Sequence, residues 1–213
     1  MVLNKKYIVL ALILILAVLL WFAVNIFQKQ SPEIKNFDSK GETIIAFGDS
    51  LVFGIGSSEL RKGGFISLLS ERIDEPIINL GKSGDTTTSA LNRIDSVIAK
   101  NPKIVIVLLG GNDYLRKIPV KETFNNLQMI IDKIYANNSA VLLLGVRGGV
   151  LKDSYNQLFK KLAEKNKTAF VPNVMSGLLG NKNLMSDAIH PNDAGYSDIA
   201  DKVLPILKKM LKK

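Results

Sequence analysis

Residues 103–113 read KIVIVLLGGND, and this stretch indicates the fold class most clearly. After the opening lysine, the run to Leu109 is apolar at every position, which is typical of a central strand that is covered on both faces. Two glycines and two polar residues follow at once, which indicates a sharp turn. We therefore predict a buried parallel strand whose carboxyl end leads into a polar loop.

Short apolar runs alternate with helical patterns on either side of this strand. The other strand candidates are Thr43–Phe47, Pro76–Leu80, Ala140–Leu144 and Ala169–Pro172. Between them apolar residues recur at helical spacing, for example Leu91, Ile94, Val97 and Ile98, and a last helix is predicted from Asn192 to the end. This alternation predicts an α/β domain with a parallel five-stranded sheet between two layers of helices.

Polar clusters mark the ends of the first three strands and the start of the last helix. They are 48–51 (GDSL), 83–86 (SGDT), 110–113 (GGND) and 187–191 (DAIHP). Taken singly, the glycine-containing clusters also fit a turn with a helix cap, and a lone histidine also fits a packed or surface position. Loops at the carboxyl ends of parallel strands converge on one edge of the sheet, where ligands bind. Together the clusters predict one site.

The side chains of these clusters fit acyl transfer by a serine nucleophile. A serine hydroxyl needs an adjacent base, and His190 is the single histidine of the chain. Asp187, three residues earlier, would hold the imidazole tautomer. The oxyanion of a tetrahedral intermediate needs positioned N–H donors, which Gly84 and Asn112 can supply. Ser50 is the candidate nucleophile, and it does not lie in a G-x-S-x-G elbow.

Composition excludes several other classes of site. The 213 residues contain no cysteine, which rules out disulfides, thiolate metal sites and cysteine nucleophiles. Asp49, Asp85 and Asp113 allow a metal site, but such loop carboxylates more often bond nearby backbone. We therefore expect neither a metal nor another cofactor.

These four blocks resemble the GDSL, or SGNH, hydrolases. The matching text is AFGDSLVFGIG, NLGKSGDTT, VLLGGNDYLR and DAIHPN, in that order. The resemblance runs from about residue 43 to the last helix, and it is greatest to bacterial arylesterases, thioesterases and lysophospholipases. It implies a flavodoxin-like sheet of order 2-1-3-4-5 and a serine esterase that needs no cofactor.

The resemblance also implies a role for each candidate residue. Ser50 is similar to the family's nucleophile, His190 to its general base and Asp187 to the residue that orients the base. The backbone N–H groups of Ser50 and Gly84 and the amide of Asn112 are similar to its oxyanion hole. The loop at 145–150 departs from the family pattern, and this departure puts a transferred substrate preference in doubt.

The N-terminal segment predicts a membrane anchor. Residues 7–27 are uncharged and almost wholly apolar, and 21 helical residues span ~30 Å, the thickness of the hydrocarbon core. We predict a cytoplasmic tail at 1–6, a transmembrane signal anchor at 7–27, a linker at 28–42 and a hydrolase domain at 43–213. The catalytic domain would lie outside the cytoplasmic membrane. The alternatives are a cleaved signal peptide, which would release a secreted protein, and a buried core helix.

Three functions remain open at this point. The first is a monomeric, membrane-anchored esterase or thioesterase that acts on lipidic or aryl acyl substrates. The second is an O-acetylesterase or acyltransferase of cell-wall carbohydrate, and the third is a non-catalytic, membrane-tethered binding module. The net charge of +9 does not indicate a nucleic-acid partner, because no basic motif is interleaved with aromatic residues.

Overall fold

The computed structural model describes residues 5–28, 33–60, 62–147 and 154–212. It divides into two units, Met1–Glu33 and Ile34–Lys213. The first unit contains helix α1, Lys5–Gln28.

The predicted transmembrane anchor at 7–27 is not confirmed. Among the described residues, no helix combines the length and the apolar character needed to cross a membrane. The side chains of 7–11 and 23–27 lie outside the described set.

The second unit is built on a parallel sheet, as predicted. Within the described residues the strands are β1 Thr43–Gly48, β2 Ile77–Gly81, β3 Pro102–Leu108, β4 Ala140–Leu144 and β5 Ala169–Val171. Their order is β2-β1-β3-β4-β5, and every pair is parallel. Strand β3 lies at the centre, and its adjacent residues Val105 and Ile106, which point to opposite faces of the sheet, are both fully buried. Their burial explains the two-sided apolar pattern that predicted this sheet.

Helices cover both faces of the sheet. They are α2 Ser50–Phe53, α3 Phe65–Ile73, α4 Thr87–Leu91, α5 Asp95–Ile98, α6 Gly111–Leu115, α7 Val120–Ala136, α8 Ser154–Asn166 and α9 Asp193–Leu211. Helix α3 packs on α9, and α7 packs on both α4 and α8.

The single helix predicted around residues 91–98 is interrupted. It forms α4 and α5, with a turn at 92–94 between them. In this turn the backbone N–H groups of Arg93 and Ile94 donate three residues back, to Ala90 and Leu91, which tightens the helix. The interruption places Arg93 between the two helices.

Part of the predicted linker packs on the second unit. The amide of Asn36 donates to the carbonyls of Tyr135 and Ser139 at 3.1 and 3.2 Å. The backbone N–H of Lys35 donates to the Lys167 carbonyl, and its ammonium lies 4.5 Å from the centre of the Tyr135 ring. Residues 34–42 are therefore held on the domain, and the domain boundary at 43 stays a prediction.

Candidate active site

Ser50 lies where β1 turns directly into α2. Asp49 caps this helix, because its Oδ1 accepts a hydrogen bond from the Leu51 N–H at 3.0 Å. Ser50 is the first helical residue and is 8% exposed. The strand, the cap and the short helix together hold the hydroxyl at the carboxyl edge of the sheet.

The structure brings the three predicted residues Ser50, His190 and Asp187 into one hydrogen-bonded chain. Ser50 Oγ lies 3.1 Å from His190 Nε2, and His190 Nδ1 lies 2.7 Å from Asp187 Oδ2. The other oxygen of Asp187 accepts from the backbone N–H groups of Ile189 and His190, each at 2.8 Å. The imidazole is therefore held from both sides in line with the serine.

Asp187 is kept ionised by these contacts. Its hydrogen bond to His190 is the main cause that lowers its pKa from the ordinary 3.8 to about 2, and the two backbone N–H groups add to the effect. An ionised carboxylate only accepts hydrogen bonds, so Nδ1 carries a proton. Nε2 is then free to accept a proton from the Ser50 hydroxyl.

Gly84 lies in the loop after β2, and Asn112 lies in the first turn of α6, after β3. Gly84 has φ of +80°, a left-handed conformation that favours glycine, and its carbonyl accepts from Arg116 Nη2 at 2.9 Å. Asn112 Nδ2 donates to the Asp85 carbonyl at 2.9 Å and lies 3.5 Å from Asp49 Oδ2. These contacts connect the second and third polar clusters.

The three loop aspartates have protein partners. Asp85 pairs with Arg93 at 2.6 Å, and Asp113 accepts from the backbone N–H of Thr87 at 2.9 Å. Asp49 bonds backbone, as expected, whereas Asp85 is held by side chains. Over the described ranges, no group of three or more histidine and acidic side chains is arranged to hold a metal ion.

Burial gives Asp49 an unusual pKa. The carboxyl is 2% exposed, and desolvation is the main cause that raises its pKa from 3.8 to about 7. The Leu51 N–H and the charge of His190 oppose this rise, whereas the charge of Asp85 adds to it. The residue next to the candidate nucleophile therefore has a carboxyl pKa close to neutral pH.

The sequence did not predict a role for Arg93 at the site. Its Nε bonds Asp85 Oδ2, and its Nη2 donates to the Gly48 carbonyl at 3.1 Å. The guanidinium also lies 4.3 Å from the centre of the Phe47 ring. The apolar spacing of residues 91–98 predicted only which helix face is buried. No local motif predicts that Arg93 contacts the end of one strand and the loop after another.

A cavity of about 200 Å³ opens beside Ser50 and His190. Asn112 lines it too, whereas Gly84 is not among the described residues of its wall. Its apolar wall comprises Leu51, Tyr114, Leu115, Val146, Met175, Leu179 and Ile189. Arg147, from the loop that departs from the family pattern, also lines it, and residues 148–150 of that loop lie outside the described set.

Comparisons with known proteins identify the family of the chain. The model of the GDSL-like lipase/acylhydrolase family matches residues 46–197. Esterase TesA of Pseudomonas aeruginosa is 31% identical over 80% of this chain and 90% of its own length. Thioesterase 1/protease 1/lysophospholipase L1 of Escherichia coli is 29% identical over 75% of this chain and 80% of its own.

Solved structures show the same fold. A crystal structure of TesA has a TM-score of 0.73 and 29% identity, and covers 79% of this chain and 99% of its own. Esterase EstA from Pseudoalteromonas sp., inhibited by monoethylphosphonate, has a TM-score of 0.71 and 28% identity, with coverages of 80% and 99%. The acetyl xylan esterase AlAXEase has a TM-score of 0.65 and 25% identity, with coverages of 77% and 98%. The chain therefore belongs to the GDSL-like lipase/acylhydrolase family and is a GDSL-type carboxylic ester hydrolase.

Proposed function

We propose that the chain hydrolyses carboxylic esters or thioesters through an acyl-serine intermediate on Ser50. His190 Nε2 takes the proton of Ser50 Oγ as the oxygen attacks the acyl carbonyl carbon. The imidazolium then gives this proton to the leaving alkoxide or thiolate, which leaves the acyl group on Ser50. Water, activated by the same imidazole, releases the acid and restores the serine. Asp187 holds the imidazole and stabilises its charged form.

One observation carries this proposal. The Ser50–His190–Asp187 chain has contacts of 3.1 and 2.7 Å, which lie within the range needed for proton transfer. We assign the oxyanion hole to the backbone N–H groups of Ser50 and Gly84 and to Asn112 Nδ2. These donors would stabilise the negative charge that develops on the carbonyl oxygen.

We propose lipidic or aryl acyl groups as the substrates. The cavity beside the serine has mostly apolar walls, which favour an acyl chain or an aromatic ring over a sugar. Two of the relatives are named as an esterase and as a thioesterase and lysophospholipase, which supports the same class. A single chain would be sufficient for activity, because the serine, the base and the oxyanion donors all come from one copy.

A carbohydrate O-acetylesterase is the second candidate, favoured by the likeness to an acetyl xylan esterase. Acyl chain length discriminates the two candidates. We expect kcat/KM for nitrophenyl esters to be higher with octanoyl than with acetyl groups, because only the longer chain fills the apolar cavity. Turnover confined to acetyl esters and acetylated xylan would favour the second candidate.

Substitution of the nucleophile tests the reaction itself. We expect Ser50→Ala to lower kcat by about 10⁴- to 10⁶-fold, as for other triad nucleophiles. Ser58→Ala, which removes an exposed hydroxyl from the following loop, is the matched control and should keep wild-type kcat. Ester hydrolysis near the wild-type rate in purified Ser50→Ala would exclude the mechanism. A non-catalytic binding module would instead show no turnover in the wild-type protein.

A further inference from the structure

Arg93 joins the loops that follow two different strands. From the turn between α4 and α5, its Nε bonds the carboxylate of Asp85 after β2, at 2.6 Å. Its Nη2 donates to the carbonyl of Gly48, the last residue of β1, at 3.1 Å. The guanidinium lies over the Phe47 ring, which limits its movement. The Lys82 N–H also donates to the Gly48 carbonyl, at 2.9 Å, and Arg93 adds the contact that ties the end of β1 to Asp85 in the loop after β2.

All three proposed oxyanion donors lie next to these contacts. The Ser50 N–H lies two residues beyond Gly48, and the Gly84 N–H belongs to the residue directly before Asp85. Asn112 Nδ2, the third donor, bonds the Asp85 carbonyl at 2.9 Å. A shift of Asp85 relative to Gly48 would therefore move the donors apart.

The Arg93–Asp85 ion pair differs from the surface ion pairs because it is largely buried. The side chain of Asp85 is 2% exposed and that of Arg93 is 22% exposed. Ser89 Oγ is a further donor to the Asp85 carboxylate, at 2.9 Å. Loss of the guanidinium would leave a buried carboxylate without its cation, so the loop would rearrange to hydrate it. A planar guanidinium can bond the carboxylate and the Gly48 carbonyl at once, which a lysine ammonium does less well.

We propose that Arg93 is a positioning residue for catalysis, one that sets the spacing of the oxyanion donors without touching the substrate. This rests on the proposed serine mechanism. Donors placed for the oxyanion stabilise the transition state more than the bound substrate, so misplacing them lowers kcat and leaves KM nearly unchanged. A displacement on the order of 1 Å costs roughly 10²-fold in rate.

The test compares Arg93→Gln and Arg93→Lys with Arg72→Gln in the full chain. Arg72 is the matched control. It lies on α3 and bonds two acceptors on α9, the Asp201 carboxylate and the Ser197 hydroxyl, so it joins two elements as Arg93 does. We expect Arg93→Gln to lower kcat about 100-fold with KM within about threefold of wild type, and Arg93→Lys to recover part of kcat. Arg72→Gln should keep wild-type kcat.

Circular dichroism on each variant separates positioning from unfolding. A kcat within threefold of wild type in folded Arg93→Gln would overturn the proposal. So would a kcat loss that equals the unfolded fraction. If Arg93→Gln does not fold, Arg93→Lys decides by the same criteria. If the wild type turns over substrate and Ser50→Ala does not, the serine mechanism stands whatever the result for the Arg93 variants. The two proposals can therefore fail separately.

Discussion

Asp49→Asn should stabilise the 34–213 unit at alkaline pH. Asp49 is buried, and desolvation holds its pKa near 7 rather than at the ordinary 3.8. Between these values the folded protein binds a proton that the unfolded chain has released, so the free energy of unfolding falls as pH rises from about 4 to 7. Asparagine has no proton to lose and is as good a helix cap. The substitution therefore removes this fall.

The magnitude follows from the two pKa values. Their difference corresponds to about 4 kcal/mol once the pH is above both. Between pH 4.5 and pH 8 the free energy of unfolding of the wild type falls by about 3 kcal/mol. This is less than the full difference, because part of the fall has already occurred at pH 4.5. We expect the advantage of Asp49→Asn over wild type to grow by about that amount across this interval. A comparison across pH cancels any constant packing cost of the substitution.

Urea unfolding at pH 4.5 and pH 8 measures this difference. The single tryptophan, Trp21, lies in the first unit, so near-ultraviolet circular dichroism of the buried Tyr155 and Tyr196 is the suitable signal. Asp95→Asn is the control, because it makes the same exchange of a carboxyl for an amide at a side chain that is 84% exposed. The same gain at pH 4.5 and pH 8 for Asp49→Asn would refute the assignment of a raised pKa.

Two further substitutions test the site. Asp187→Asn should lower kcat by roughly 10²- to 10⁴-fold at every pH from 5 to 9, because the lowered pKa of about 2 keeps this carboxylate ionised throughout. An activity near wild type in steady-state kinetics would contradict its role in holding His190. Gly84→Ala should reduce both stability, by about 1–2 kcal/mol, and kcat, because alanine is strained at φ of +80° and its Cβ would lie 3.4 Å from Arg116 Nη2. Thermal unfolding with unchanged midpoint and unchanged kcat would show that the strained conformation is not required.

Patterns that are local in sequence predicted the sheet and the triad. The two-sided apolar run at 104–109 identified a central strand, and the order of the five strands came from the resemblance to the SGNH hydrolases. Ser50, Asp187 and His190 were predicted because strand ends converge and because the chain has one histidine. Their side chains form one hydrogen-bonded chain, and their catalytic roles stay a prediction.

Contacts between distant side chains could not be predicted in this way. Arg93 bonds residues that lie 8 and 45 positions away, so no local pattern encodes its role. The raised pKa of Asp49 comes mainly from its burial. The GDSL motif alone does not indicate how deeply this residue is buried in the folded domain. Apolar spacing likewise predicted one helix around 91–98, whereas the structure has two helices separated by the turn at 92–94.

Labelling with a fluorophosphonate tests directly whether Ser50 is a nucleophile activated by His190. The relative EstA is inhibited by a phosphonate, which recommends this probe. Peptide mass spectrometry should place a single adduct on Ser50 in wild type, with no adduct in Ser50→Ala and much slower labelling in His190→Ala. An adduct on another residue, or equally fast labelling without His190, would contradict the account.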